Sequence, residues 1–159
     1  MSLQDVLHWL QYSELLSAMR DSPWIFPVIA SFHLMGLALI GGAVLIVDLH
    51  LLGFGLSREP VANIGRHAER LLIISLVVLL PTGIFQFLCF AATKYYYLKA
   101  FWVKMATLAA ALAFTFSVRR KAVMAEGQRI SSPSRKLVAL VSLSLWTTVA
   151  VAGRLIGFP

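Results

Sequence analysis

Four long runs with almost no charge, at 24–47, 71–92, 101–118 and 137–152, most limit what this chain can fold into. Each approaches the roughly 20 apolar residues that an α-helix needs to cross a hydrocarbon core about 30 Å thick. Backbone amides in hydrocarbon find no water, so they must be satisfied inside the protein; runs of this length do that as helices. The composition agrees: 59% of the 159 residues are hydrophobic, 13% are charged, and the mean hydropathy is +0.81. A soluble domain carries about 25% charged residues to wet its surface. The expected fold is all-α, an integral membrane four-helix bundle in one domain spanning 1–159. Its transmembrane helices are expected at 24–55, 67–92, 100–120 and 136–157.

Ahead of the first span, Leu3, Val6, Leu7, Leu10, Leu15 and Leu16 recur at roughly helical spacing. With Trp9 and Tyr12 they predict an amphipathic interfacial helix over 2–20, ended by the turn-forming "DSPW". The start lacks a basic segment and a cleavage site, so no secretory leader is expected there. The first span would measure about 48 Å at 1.5 Å per residue, and must tilt or project from the bilayer. "PTG" at 81–83 loosens the second span, because proline removes a backbone donor. "KYYYLKAFW" at 94–102 has the tyrosines and tryptophan of a headgroup belt, and 126–136 reads as a linker. The one cysteine, Cys89, excludes an intramolecular disulfide and is expected to pack as a small apolar side chain.

The net charge of +7 would suggest nucleic acid in a soluble chain, but no recognition motif accompanies it. Its basic residues instead fall between spans. Arg58, Arg66 and Arg70 follow the first; Arg119, Arg120, Lys121, Arg129, Arg135 and Lys136 follow the third. Arg20, Lys94, Lys99 and Arg154 are all that the opposite side offers. The excess of Lys and Arg predicts that both termini lie away from the cytoplasm.

Within the greasy stretch "FHLMGLALIGGAVLIVDLH" stand His33, Asp48 and His50. Ionisable groups inside a spanning helix are costly and point to function. His33 and His50 lie about 25 Å apart along one helix, too far to share a small site. His50 closes the first span and His67 opens the second, so neighbouring helices would bring them to one depth as two axial ligands. His33 has His8, Met105 or no residue as its partner. The plainer alternatives are a headgroup contact for His67 and an interhelical hydrogen bond for His33. Gly36, Gly41 and Gly42 leave room either for a porphyrin or for another helix. Asp48 is expected to pair with Arg66 or Arg70 at the interface. Arg154 either meets haem propionates or snorkels to the surface. Trp146 either walls a cofactor or fills the core. No P-loop, H-E-x-x-H or nucleophile elbow is present, and no catalytic residue is assigned.

"HLMGLALIGGAVLIVDLHLLG", "PTGIFQF", "AFWVK" and "SLWTTVAVAGR" together resemble a family of small four-helix bacterial inner-membrane proteins of unassigned function. Their spacing is also similar to that of copper-resistance D type proteins and small membrane b-type cytochromes. The resemblance implies a bacterial inner-membrane location and singles out His33, Asp48, Gly83, Lys104, Gly153 and Arg154. It also implies arginine at position 50, where this chain has His50.

The expected function is therefore that of a b-type haem protein passing electrons, with one or two haems b per chain. His33 leads the set of candidate iron ligands, with His50, His67 and His8 behind it. The expected partners are the lipid bilayer, further copies in a homo-oligomer, and a redox partner or quinone, with no nucleic acid. Copper or other metal handling is the alternative, and a cofactor-free structural subunit the third reading. Imidazole suits copper, but a Cu(I) path normally shows more Met and Cys.

Overall fold

In the computed structural model, residues 3–54, 60–90, 94–124 and 132–157 are described. All regular structure among them is helical: α1 (Leu3–Gln11), α2 (Glu14–Asp21), α3 (Ile25–Leu52), α4 (Val61–Phe90), a 3-10 turn (Tyr95–Tyr97), α5 (Lys99–Phe114), a π turn (Thr115–Arg119), α6 (Arg120–Met124) and α7 (Ser132–Ile156). Arg58 and Arg129, two of the orienting charges, and the linker over 126–131 lie outside the described residues.

Four apolar helices are long enough to cross a bilayer: Ile25–Leu52, Val61–Phe90, Lys99–Met124 and Pro133–Ile156. Their outward faces are apolar, with Leu34, Met35, Ile46, Ile74, Val77, Ile84, Leu137 and Leu140 all exposed. So much exposed apolar surface is incompatible with water and suits lipid. The chain is a multi-pass membrane protein.

The N-terminal segment departs from one continuous helix. It breaks at Tyr12–Ser13, where Ser13 takes extended backbone and its hydroxyl accepts the Leu16 N–H at 3.4 Å, capping α2. Leu7 and Gln11 turn inward and are buried, while Trp9, Tyr12 and Leu15 are exposed. Gln4 Nε2 donates to the Tyr97 hydroxyl at 3.2 Å, fastening α1 to the aromatic belt. There Phe87 stacks on Phe101 with ring centroids 5.0 Å apart.

Helix α3 starts where the Ser22 hydroxyl accepts the Trp24 and Ile25 amides. It ends at Gly53, whose φ of 97° only glycine adopts cheaply. The Gly53 N–H reaches His50 O at 3.1 Å and the Phe54 N–H reaches Leu49 O at 3.0 Å, covering the last carbonyls. Helix α4 begins at Val61, earlier than expected, so His67 sits inside it rather than opening it. Pro81 stays within α4, and the Thr82 hydroxyl donates to Val78 O at 2.7 Å on the turn that proline weakens.

The bundle is built from two antiparallel pairs, α3 with α4 and α5 with α7, joined by α3 against α7. Ala43, Val47, Leu51, Val61, Ala68, Val123 and Ala139 form one core cluster, and Ile40, Val44, Leu72 and Leu79 a second. Small residues set the helix separation, as membrane packing requires. A Cβ on Gly36 would lie 2.9 Å from Leu79 Cγ, and one on Gly65 would overlap Val123. Cys89 is free and fully buried, as a small apolar side chain would be.

Candidate functional site

His33 lies eight residues into α3, about 12 Å from its start. Its Nδ1 is 2.9 Å from Thr82 Oγ1 on α4, and the ring is half-buried. A threonine hydroxyl has one proton; given to Val78 O at 2.7 Å, it leaves Thr82 to accept from His33 Nδ1–H, and the neutral imidazole of that tautomer has its lone pair on Nε2. An imidazole held through Nδ1–H by a second group is oriented as metal-bound histidines are.

Gly83 makes this seat possible, since a Cβ there would be 3.2 Å from His33 Cε1. Lys104 comes from α5, near its start as His33 is near the start of α3. Its side chain runs along Gly153 of α7, with Nζ 3.6 Å from where a Cβ would stand. His33, Gly83, Lys104 and Gly153, scattered in sequence, thus meet in one half of the bundle. Gln86, one turn beyond Thr82, has a buried Nε2 without a hydrogen-bond partner among the described residues.

A second polar centre occupies the other half. Asp48 is fully buried, and its Oδ1 accepts from Arg119 Nε at 2.7 Å. Arg119 also donates through Nη2 to Val44 O at 3.2 Å. The expected partners Arg66 and Arg70 are therefore replaced by Arg119, which the sequence placed in a loop. Arg66 and Arg70 are exposed, and Arg66 bonds Asn63 instead. Arg119 sits on the π turn, a geometry that recurs at functional sites of membrane and soluble helices alike. Asp48 Oδ2 and Ser142 Oγ are buried and have no hydrogen-bond partner among the described residues.

The remaining candidates are dispersed. His50 is partly buried near the end of α3. His67 is exposed, with Nδ1 2.9 Å from Asn63 O of its own helix. No hydrogen bond among the described residues joins the two. His8 is exposed and lies against the Tyr12 ring, centroids 4.5 Å apart. Gly36 receives Leu79. Trp146 packs on the Ile40–Leu79 cluster and donates Nε1–H to Thr115 Oγ1 at 3.2 Å, so it fills the core. Arg154 is exposed near the end of α7.

Gln86 and Ser142 had no place in the sequence reading, Arg119 entered it only as a loop charge, and Thr82 only as the middle of "PTG". The signal for Thr82 was that position beside a proline that loosens an apolar helix. Ser142 had none, because serines are frequent in membrane helices.

Residues 24–159 match the model of a family of unknown function (DUF6644), and the chain belongs to that family. No curated protein and no solved structure matches it.

Proposed function

We propose that this member of the family is a b-type haem protein of the bacterial inner membrane that passes electrons, with His33 as an axial ligand. The observation that carries the reading is the 2.9 Å hydrogen bond between His33 Nδ1 and Thr82 Oγ1, which orients the ring through one nitrogen; in the Nδ1–H tautomer the other nitrogen is the one that would ligate iron. A haem iron needs only one or two protein ligands, and one poised imidazole supplies the first. Copper sites draw on several. Among the described residues no three His, Cys, Asp or Glu side chains come together, which favours haem over copper.

Lys104 and Arg154 supply the cations that pair with propionates, Lys104 from inside the bundle and Arg154 from its surface. Gly36 and Trp146 stay in the proposed set as cofactor neighbours; Gly36 faces Leu79, and Trp146 packs on the Ile40–Leu79 cluster. The bound haem would supply reversible one-electron chemistry; the chain's own residues orient the ligand and surround it with low dielectric. The Lys and Arg asymmetry survives the loss of Arg119 to the core, and it supports termini on the periplasmic side. Exposed Ala106, Ala109, Ala110 and Ala113 on α5 support assembly as a homo-oligomer, since small residues let membrane helices approach.

The test is the visible spectrum of the purified protein, oxidised and reduced with dithionite. The expected result is a Soret band and extractable, non-covalent protohaem, because the chain has no C-x-x-C-H attachment motif. A colourless preparation that binds no added haemin overturns the reading. Stoichiometric copper in that preparation would assign metal handling instead.

A further inference from the structure

The second polar centre is independent of His33 and has its own approach. A crevice opens between α4, the π turn and α6, lined by Glu69, Thr115, Arg119 and Arg120 among apolar residues such as Val47 and Val123. At its mouth Arg120 Nε stands 3.4 Å from Glu69 Oε1, with the Arg120 side chain 57% exposed. At its floor is Arg119, and behind Arg119 lies Asp48.

We propose that this crevice is a water-filled inlet and that its floor holds ordered water on Asp48 Oδ2 and Ser142 Oγ. Three observations carry it. First, an ion pair inside a membrane span is costly to desolvate, and apolar residues of like volume would pack there at less cost. Second, the pair is incompletely satisfied. Asp48 Oδ2 and Ser142 Oγ are both fully buried and both lack partners among the described residues. A carboxylate oxygen accepts and a hydroxyl both donates and accepts, which is the partner set that holds a buried water. Third, four polar side chains, Glu69, Thr115, Arg119 and Arg120, line the crevice among its apolar residues and lead from the exposed Arg120 inward to Arg119.

The groups that face Asp48 come from every element around it. They are Arg119 on the π turn, Ser142 on α7 and the Val44 carbonyl on α3, with Glu69 of α4 and Arg120 of α6 further out. The inlet opens at the bundle end that carries the basic loops. Water would reach a fully buried charge there without crossing the outer half of the bundle, where His33 lies.

Water-edited solid-state NMR on the wild-type protein in lipid tests the floor directly. Magnetisation should pass from water to Asp48 Cγ and Ser142 Cβ as readily as to the exposed Arg120. Transfer no faster than to the lipid-facing Val118 overturns the proposal and leaves a dry Asp48–Ser142 contact. Thiol labelling tests the walls. In a Cys89→Ala background, Thr115→Cys should react with a small anionic methanethiosulfonate. Val118→Cys, at the same depth but 46% exposed on the outward face, should not. Arg119 and Arg120 also predict that the anionic reagent outruns a cationic one. Equal, slow labelling at positions 115 and 118 sinks the inlet. The haem reading stands or falls separately, because neither readout involves His33.

Discussion

Arg119 on the π turn and Asp48 on α3, 71 residues apart in sequence, meet at 2.7 Å with both side chains buried. The pair ties the third span to the first where a bilayer gives no hydrophobic drive for helices to associate. Removing either partner strands a charge in low dielectric. Asp48→Ala or Arg119→Ala should each cost about 3–5 kcal/mol, read as unfolding in detergent micelles. Replacing both with leucine should recover most of that loss. A double variant as unstable as the sum of the singles would show that the two residues do not act as a pair.

Helix contacts through glycine give the second expectation. Gly36→Ala puts a Cβ 2.9 Å from Leu79 Cγ, and should cost about 1–3 kcal/mol through overpacking. Gly41→Ala meets nothing within 4 Å and should be neutral. Leu79→Ala combined with Gly36→Ala should relieve the overlap. The melting temperatures of the four proteins settle it.

Thr82 separates orientation from ligation. Thr82→Val keeps the shape and removes the hydroxyl that holds His33 Nδ1. Loss of such a supporting group typically lowers metal affinity about 10–100-fold, so haem retention should fall by that order. Thr82→Ser should restore it. A valine variant with unchanged haem affinity and reduction potential would mean that Thr82 is a packing residue only.

Histidine variants resolve the number of sites. With one haem, His33→Ala alone should change haem content or spin state, while His50→Ala and His67→Ala should leave both unchanged. With a second haem near the other end, either of those two variants should remove it. Under the proposed reading the one-haem outcome is the expected one, since His67 is exposed with Nδ1 2.9 Å from Asn63 O of its own helix. Spin state must be read with haem content, because an iron deprived of one ligand can stay bound.

Topology is open to a simple reporter test. A periplasm-active reporter fused after residue 159 should work, and one inserted near residue 127 should be active only if it reads the cytoplasm. The reverse pattern would invert which end of the bundle carries the proposed inlet.

The four spans were legible from sequence alone because insertion depends on hydropathy summed over about 20 neighbours, a local property. The all-α fold, the membrane setting and the oddity of His33 and Asp48 in apolar runs follow from it. Helix ends were less legible: α4 starts earlier and the N-terminal helix breaks at Ser13, because a cap is worth only about 1 kcal/mol. Partners were not legible at all. Arg119 stands in a row with Arg120 and Lys121 and so looked like a loop charge, yet it turns inward to Asp48 while Arg120 turns out to Glu69. Thr82 reaches His33, and Leu79 lies against Gly36. These choices depend on the rotation and offset of one helix against another. Within the spans both inward and outward faces are apolar, so no amphipathic stripe in the sequence records that register, and only tertiary packing decides it.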